Sequence, residues 1–118
     1  MFTGLITNTC KLLKITSTSI VVEHNAPYDI KKGDSISLNG VCLTCTSIQK
    51  NSLCFDIMPE TAGKSNLGNL ATGDPINMEP SLKAGDPIGG HFVTGHVDGT
   101  GKCMSITNEN NSRILKIS

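Results

Sequence analysis

The sequence predicts an all-β protein: a six-stranded antiparallel Greek-key closed barrel with one short helix. Three observations carry this expectation. Short runs of β-branched and apolar residues recur along the chain, each bounded by Gly, Asn, Asp or Pro. Asn39-Gly40 separates two of these runs, and both residues tolerate the positive φ that a tight hairpin turn requires. The stretch 60–74 is too long for a simple hairpin and fits a Greek-key crossover. Closure follows because an open sheet of short strands would expose two pairing edges.

Taken in order, the expected strands are Gly4–Ile15, Ser19–Glu23, Ser35–Leu38, Val41–Ile48, Leu53–Met58 and Pro75–Glu79. Lys50-Asn51-Ser52 supplies a second hairpin turn after Asn39-Gly40. A Gly-Asp pair introduces later segments three times, at Gly33-Asp34, Gly73-Asp74 and Gly85-Asp86. In each the glycine closes a turn, and the nearby Ile36, Ile76 or Ile88 is expected to begin a buried stretch. Pro75 cannot donate to a ladder and suits a strand start or an edge. The helical candidate is Glu60–Leu67, between Pro59 and Gly68. Gly63 inside it costs about 1 kcal/mol against Ala, so two turns are its limit.

Bulk properties exclude several function classes. The chain has 118 residues and zero net charge, with no basic stripe to grip phosphates, so no nucleic-acid partner is expected. It contains no apolar run of about 18 residues and no signal-peptide pattern, so neither a membrane partner nor secretion is expected. Five cysteines, an odd number, point to reduced thiols and a cytoplasmic setting. Cys42 and Cys45 form a C-x-x-C, but on a strand residues three apart face opposite ways. A shared metal or disulfide is therefore not expected there.

The opening of the chain is written twice. At a constant offset of 91, Thr3, Gly4, Thr9, Lys11, Ile15 and Thr16 return as Thr94, Gly95, Thr100, Lys102, Ile106 and Thr107. Ile20-Val21-Val22 is answered by Ile114-Leu115 after a three-residue insertion. A fixed offset marks one structural unit used twice. Residues 1–92 are expected to form a complete barrel, and 93–118 the opening strands of a truncated second one. An isolated hairpin is marginal in water, so this tail is expected to pack on a second copy of the chain.

Three segments could carry chemistry. Cys42 and Thr44 share one strand face, opposite Val41, Leu43 and Cys45. That face is either a buried polar pair or a ligand wall, and the burial habit of free cysteine favours the core. Asp56-Ile57-Met58-Pro59-Glu60-Thr61 runs from a strand into a helix start, which is either a plain cap or a place where backbone N–H groups meet a ligand. The glycine-rich stretch 88–99 holds His91 and His96, on opposite strand faces and so poor joint metal ligands. No triad, phosphate loop or paired-carboxylate constellation is present.

Met1-Phe2-Thr3-Gly4-Leu5-Ile6, Asn39-Gly40-Val41-Cys42-Leu43-Thr44, Glu60-Thr61 with Ser65-Asn66-Leu67-Gly68, and Gly89 through Gly99 resemble riboflavin synthase in order along the chain. Lumazine proteins share these patterns. The resemblance implies two similar barrels and a C-terminal helix in a homotrimer. It implies dismutation of two 6,7-dimethyl-8-ribityllumazine molecules to riboflavin and 5-amino-6-ribitylamino-2,4-pyrimidinedione, with no metal or cofactor. It implies a pocket lined by Cys42, Leu43, Thr44, Asp56, Ile57, Met58, Pro59, Glu60 and Thr61, closed by Gly95, His96 and Val97. Gly4, Leu5 and Ile6 would serve the other barrel's ligand. His96, Cys42 and Ser35 are the implied catalytic residues, with Phe2 beside them. The chain ends before a second barrel, so a homodimer that binds lumazine or riboflavin is expected, with little catalysis of its own. The alternative is a non-catalytic lumazine or flavin-binding protein.

Overall fold

The computed structural model describes residues 1–89 and 92–118; His91 and Gly90 lie outside the described residues. Six strands close into a barrel: β1 (Asn8–Ile15), β2 (Ser19–Glu23), β3 (Ser35–Leu38), β4 (Val41–Ile48), β5 (Ser52–Asp56) and β6 (Pro75–Pro80). Around the barrel they run β1-β2-β5-β4-β3-β6, every pair antiparallel. The β2–β3 and β5–β6 connections therefore join strands that are not neighbours. The second is the long segment 57–74. It holds α1 (Pro59–Lys64) and a 3₁₀ turn (Asn66–Asn69). Two further strands, β7 (Cys103–Glu109) and β8 (Ser112–Ile117), form a separate hairpin.

Alternation builds the core. Cys10 and Leu12, Ile20 and Val22, Ile36 and Leu38, Val41, Leu43 and Cys45, Leu53 and Phe55, and Ile76 and Met78 all face inward. Ile30, Ile57 and Leu67 join this cluster from the connections. Asn39 and Gly40 adopt φ of 50° and 81°, the conformation expected of the β3–β4 turn. The Gly-Asp turns share one geometry. Asp34, Asp74 and Asp86 each accept, at 2.8 Å, the backbone N–H three residues earlier. Only two of them lead into the core, because Ile36 and Ile76 are buried in strands whereas Ile88 is exposed and lies in no strand.

The first strand starts later than the sequence pattern suggests, at Asn8 rather than Gly4. A buried carboxylate explains this. Glu79 on β6 accepts hydrogen bonds from the Thr3 N–H, the Thr3 hydroxyl and the Gly4 N–H at 2.5, 2.7 and 3.1 Å. The N-terminal residues thus spend their donors on a side chain instead of a ladder. The helix is likewise shorter than Glu60–Leu67. It stops at Lys64 because the Ser65 hydroxyl bonds back to the Thr61 carbonyl at 2.7 Å and starts the 3₁₀ turn.

The tail hairpin resembles the first one in bulge and register. In β1–β2 the register shifts between Leu12 and Lys14, and in β7–β8 between Cys103 and Ser105, again 91 residues on. Ile15 pairs with Ile20, and Ile106 with Leu115. The insertion is therefore four residues, not the three expected from aligning Ile114 with Ile20. Every residue of β7 and β8 is exposed.

Candidate functional site

α1 is a surface helix with no buried residue. It begins at Pro59, which needs no N–H partner. Glu60 in its first turn and Lys64 in its last suit the helix dipole and pair at 2.6 Å. Thr61, Lys64 and Ser65 lie at i, i+3 and i+4, so they share a face. That face and Val41 of β4 form one wall of a cleft of about 200 Å³. His96, Val97 and Asp98 form the other wall. A second cleft of about 310 Å³ adjoins it, lined by Asn39, Ser65, Asn66, Val97 and residues 99–101. Ser65 and Val97 belong to both.

The segment carrying His96 is tied down on either side. The Thr94 carbonyl accepts the Phe2 N–H at 3.0 Å, and the Gly40 carbonyl accepts the Val97 N–H at 3.0 Å. Gly95 has a φ of 68°, and a side chain there would come within 2.7 Å of the Phe2 Cβ. Thr94 and His96 repeat a bond made by Thr3 and Leu5. The Thr3 hydroxyl accepts the Leu5 N–H at 3.1 Å, and the Thr94 hydroxyl accepts the His96 N–H at 3.4 Å.

The expected site residues fall into four places. Thr61, His96 and Val97 meet in the cleft, with Gly95 at its entrance turn. Cys42 and Thr44 are exposed on the outer sheet face, which overturns the core position favoured from composition. Their cross-strand partners are Ser37 and Ser35, and Ser37 in turn pairs with Glu79. This outer face is a polar wall because strand alternation sends Val41, Leu43 and Cys45 inward. Ser35 also borders a different cleft, with Tyr28, Asp34 and Lys83, which does not include His96. Leu43 and Ile57 are core residues whose side chains a ligand cannot reach. Asp56, Met58, Pro59 and Glu60 are exposed at the β5–α1 junction. Gly4, Leu5 and Ile6 are exposed in the N-terminal segment, and Leu5 lines an apolar cleft with Leu82, Ile88 and Val93 instead of the His96 cleft.

Lys64, Ser65, Val41 and Asp98 line the cleft without having been singled out as contacts. The i, i+3, i+4 spacing of Thr61, Lys64 and Ser65 was a readable signal; nothing in the local pattern marked Asp98. Among the thiols, burial pushes Cys10 up to about 11, helped by the charge of Glu23. Burial, then Asp34, also raises Cys45. Both are held as neutral core groups, which leaves Cys42 as the exposed thiol of the barrel. Among the described residues no cluster of His, Cys, Asp and Glu has metal-binding geometry. Nor is any helix long and apolar enough to cross a membrane.

Comparison with known proteins decides the family. The lumazine binding domain profile matches residues 3–81. This chain belongs to the lumazine-binding domain family. Riboflavin synthase of Actinobacillus pleuropneumoniae is 41% identical over 122 residues, covering 99% of this chain and 57% of that protein. Riboflavin synthase of Escherichia coli K12 is 40% identical, covering 97% of this chain and 57% of that protein. The chain thus spans little more than half the length of these curated relatives. A crystal structure of LumP complexed with 6,7-dimethyl-8-(1'-D-ribityl) lumazine superposes with a TM-score of 0.76 at 23% identity, covering 99% of this chain and 68% of that one. LumP complexed with riboflavin gives 0.74 at 23% identity, covering 93% and 62%. The fold is shared; riboflavin synthases are the nearer relatives in sequence.

Proposed function

We propose that this lumazine-binding barrel binds 6,7-dimethyl-8-ribityllumazine or riboflavin and supplies one site of a riboflavin synthase. The observation that carries this reading is the cleft that Thr61, Lys64 and Ser65 share with His96, Val97 and Asp98. In the dismutation one lumazine gives a four-carbon unit to a second, yielding riboflavin and the ribitylamino-pyrimidinedione. Loss of a proton from the C7 methyl starts it, and hydrogen-bond donors near the ring carbonyls would stabilise the delocalised carbanion. His96 is suited to moving that proton. Cys42 and Ser35 do not line this cleft, so of the three implied catalytic residues the proposal gives a chemical role to His96. Titration with riboflavin, followed by fluorescence quenching, should saturate by high micromolar ligand and weaken in Thr61→Val. A folded barrel with no saturable quenching sinks the reading.

A second reading is a non-catalytic lumazine or flavin carrier, supported by the likeness in fold to LumP complexed with the lumazine and with riboflavin. Dismutation needs two ligands presented differently. The 118-residue chain is therefore expected to form little riboflavin from the lumazine alone. Turnover comparable to that of a two-barrel synthase would rule out the carrier reading.

Residues 93–118 read as the opening of a second repeat. The shared positive φ at Gly4 and Gly95, the matching threonine turns and the matching bulge all support this. Met104, Ile106, Ile114, Leu115 and Ile117 on that hairpin are all exposed. A second copy of the chain would cover them, so sedimentation at tens of micromolar should report a dimer. A monomer at that concentration refutes this. The five free thiols fit a cytoplasmic setting.

A further inference from the structure

The segment 94–97 borders the cleft and is held to the barrel at two points, Phe2 beside Thr94 and Gly95 and the Asn39-Gly40 turn beneath Val97; the second sets the position of its Val97 end. That turn is held rigidly. The Asn39 N–H bonds to the Asn77 carbonyl at 2.9 Å, and the Asn39 side-chain oxygen accepts the Asn77 N–H at 2.8 Å. The Asn39 amide group donates to the Asn66 side chain at 3.2 Å. The turn is thus pinned to β6 and to the 3₁₀ turn behind α1, which carries the opposite wall of the cleft. Gly40 then accepts the Val97 N–H, and the Val97 side chain lies directly on it. A methyl built on Gly40 would overlap the Val97 Cγ1 and stand 3.5 and 3.6 Å from its Cβ and Cγ2.

Val97 is also the partition between the two adjoining clefts, since it lines both. His96 precedes it and Asp98 follows it, both on the α1 side. A shift of Val97 must therefore carry His96 with it. We propose that Gly40 is a positioning residue for the ligand site: its bare Cα and its carbonyl seat Val97 and so fix His96 opposite Thr61. This rests on the reading of the cleft as the flavin or lumazine site. Glycine is needed here twice over, for its φ of 81° and for the space Val97 fills. The turn chemistry alone would explain the first requirement. Only a role in seating the closing segment explains the second.

The test uses the 118-residue chain with riboflavin as probe and two readouts, affinity and hydrogen exchange at the Val97 amide. Gly40→Ala should bind about tenfold more weakly, the change produced by ~1.4 kcal/mol, and should lose Val97 protection. Gly40→Ala/Val97→Ala, which removes the overlapping methyl groups, should regain affinity and protection relative to Gly40→Ala. The two variants share the same backbone strain at position 40, so the difference between them reports the seat alone. Val97→Pro removes the N–H and lies outside the barrel; it should weaken binding similarly with the barrel intact, even if Gly40→Ala fails to fold. The inference alone is overturned if the wild-type chain binds and Gly40→Ala keeps both affinity and protection, or the double variant recovers neither. It is likewise overturned if Val97→Pro binds as the wild type does. A wild-type chain that binds no riboflavin overturns the site reading and this inference together.

Discussion

β1–β2 and β7–β8 are two hairpins of like geometry in different circumstances. They share a bulge at equivalent positions and pair equivalent residues across the ladder. Yet Leu12, Ile20 and Val22 are fully buried, while their counterparts Cys103, Leu115 and Ile117 are exposed. Register and bulge are therefore local properties, written into a short stretch of chain. Burial is not local; it depends on β5 and β6 pairing with the hairpin's two edges so that the barrel closes over its inner face.

The sharpest way to break this comparison is to truncate equivalent side chains. Ile20→Ala should destabilise the barrel by about 2–5 kcal/mol, as large-to-small changes in a packed core do. Below the concentration at which chains associate, Leu115→Ala should change barrel stability by no more than about 0.5 kcal/mol, like other surface changes. Urea unfolding followed by circular dichroism reads both. Comparable losses would mean that the hairpin packs on the barrel after all.

The two threonine turns give a second contrast. Thr3 and Gly4 are gripped by Glu79, whereas no carboxylate among the described residues meets Thr94 and Gly95. Glu79→Ala strands partly buried donors and should cost about 1–3 kcal/mol. Exchange at the Thr3 and Gly4 amides should rise in that variant while exchange at Thr94 stays as it was.

Alkali separates the thiols. Cys10 keeps its proton in the fold up to about pH 11, against a reference value of 9.0. Between those values the unfolded chain binds fewer protons than the native one, so stability falls as pH rises from 9 toward 11. Below pH 9 this contribution is fully present. Cys10→Ala should flatten that slope in pH-dependent urea melts, and Cys103→Ala should not. The smallest effect is expected at Lys64→Met. Its ion pair with Glu60 is largely exposed at both ends, so stability should move by about 0.5 kcal/mol or less.

Much of the barrel was legible because its signals are short-range. Asn39-Gly40 announced its own turn, and alternation in Val41–Cys45 separated the two faces of β4, although the burial habit of cysteine pointed to the wrong one as core. Where a distant partner intervened, local pattern failed. Gly4–Thr7 looked like strand, but β1 starts only at Asn8, because Glu79, far along the chain, holds Thr3 and Gly4 away from a ladder. Ile88 followed the same Gly-Asp turn as Ile36 and Ile76 but has no strand to enter. Cys42 illustrates the limit at the site. Its face was right, but only the closed sheet shows that this face is the outside. The pairing of Thr61 with His96 came from family likeness, and Lys64 and Ser65 were available from helix spacing but not used.

The barrel is sealed by its first and last strands, with Asn8 opposite Met78 and Lys11 opposite Pro75. During synthesis, then, the seam cannot close until the final strand has left the ribosome. Until that moment β1 and β3 each present an unpaired edge. Long-range closures of this kind are slow, because loop entropy is lost before the contact is gained. The β7–β8 hairpin needs only its own neighbours and can form as soon as it emerges. Refolding should therefore show two clocks. Microseconds to tens of microseconds is the natural scale for the hairpin, and a much later phase should mark the joining of β1 to β6.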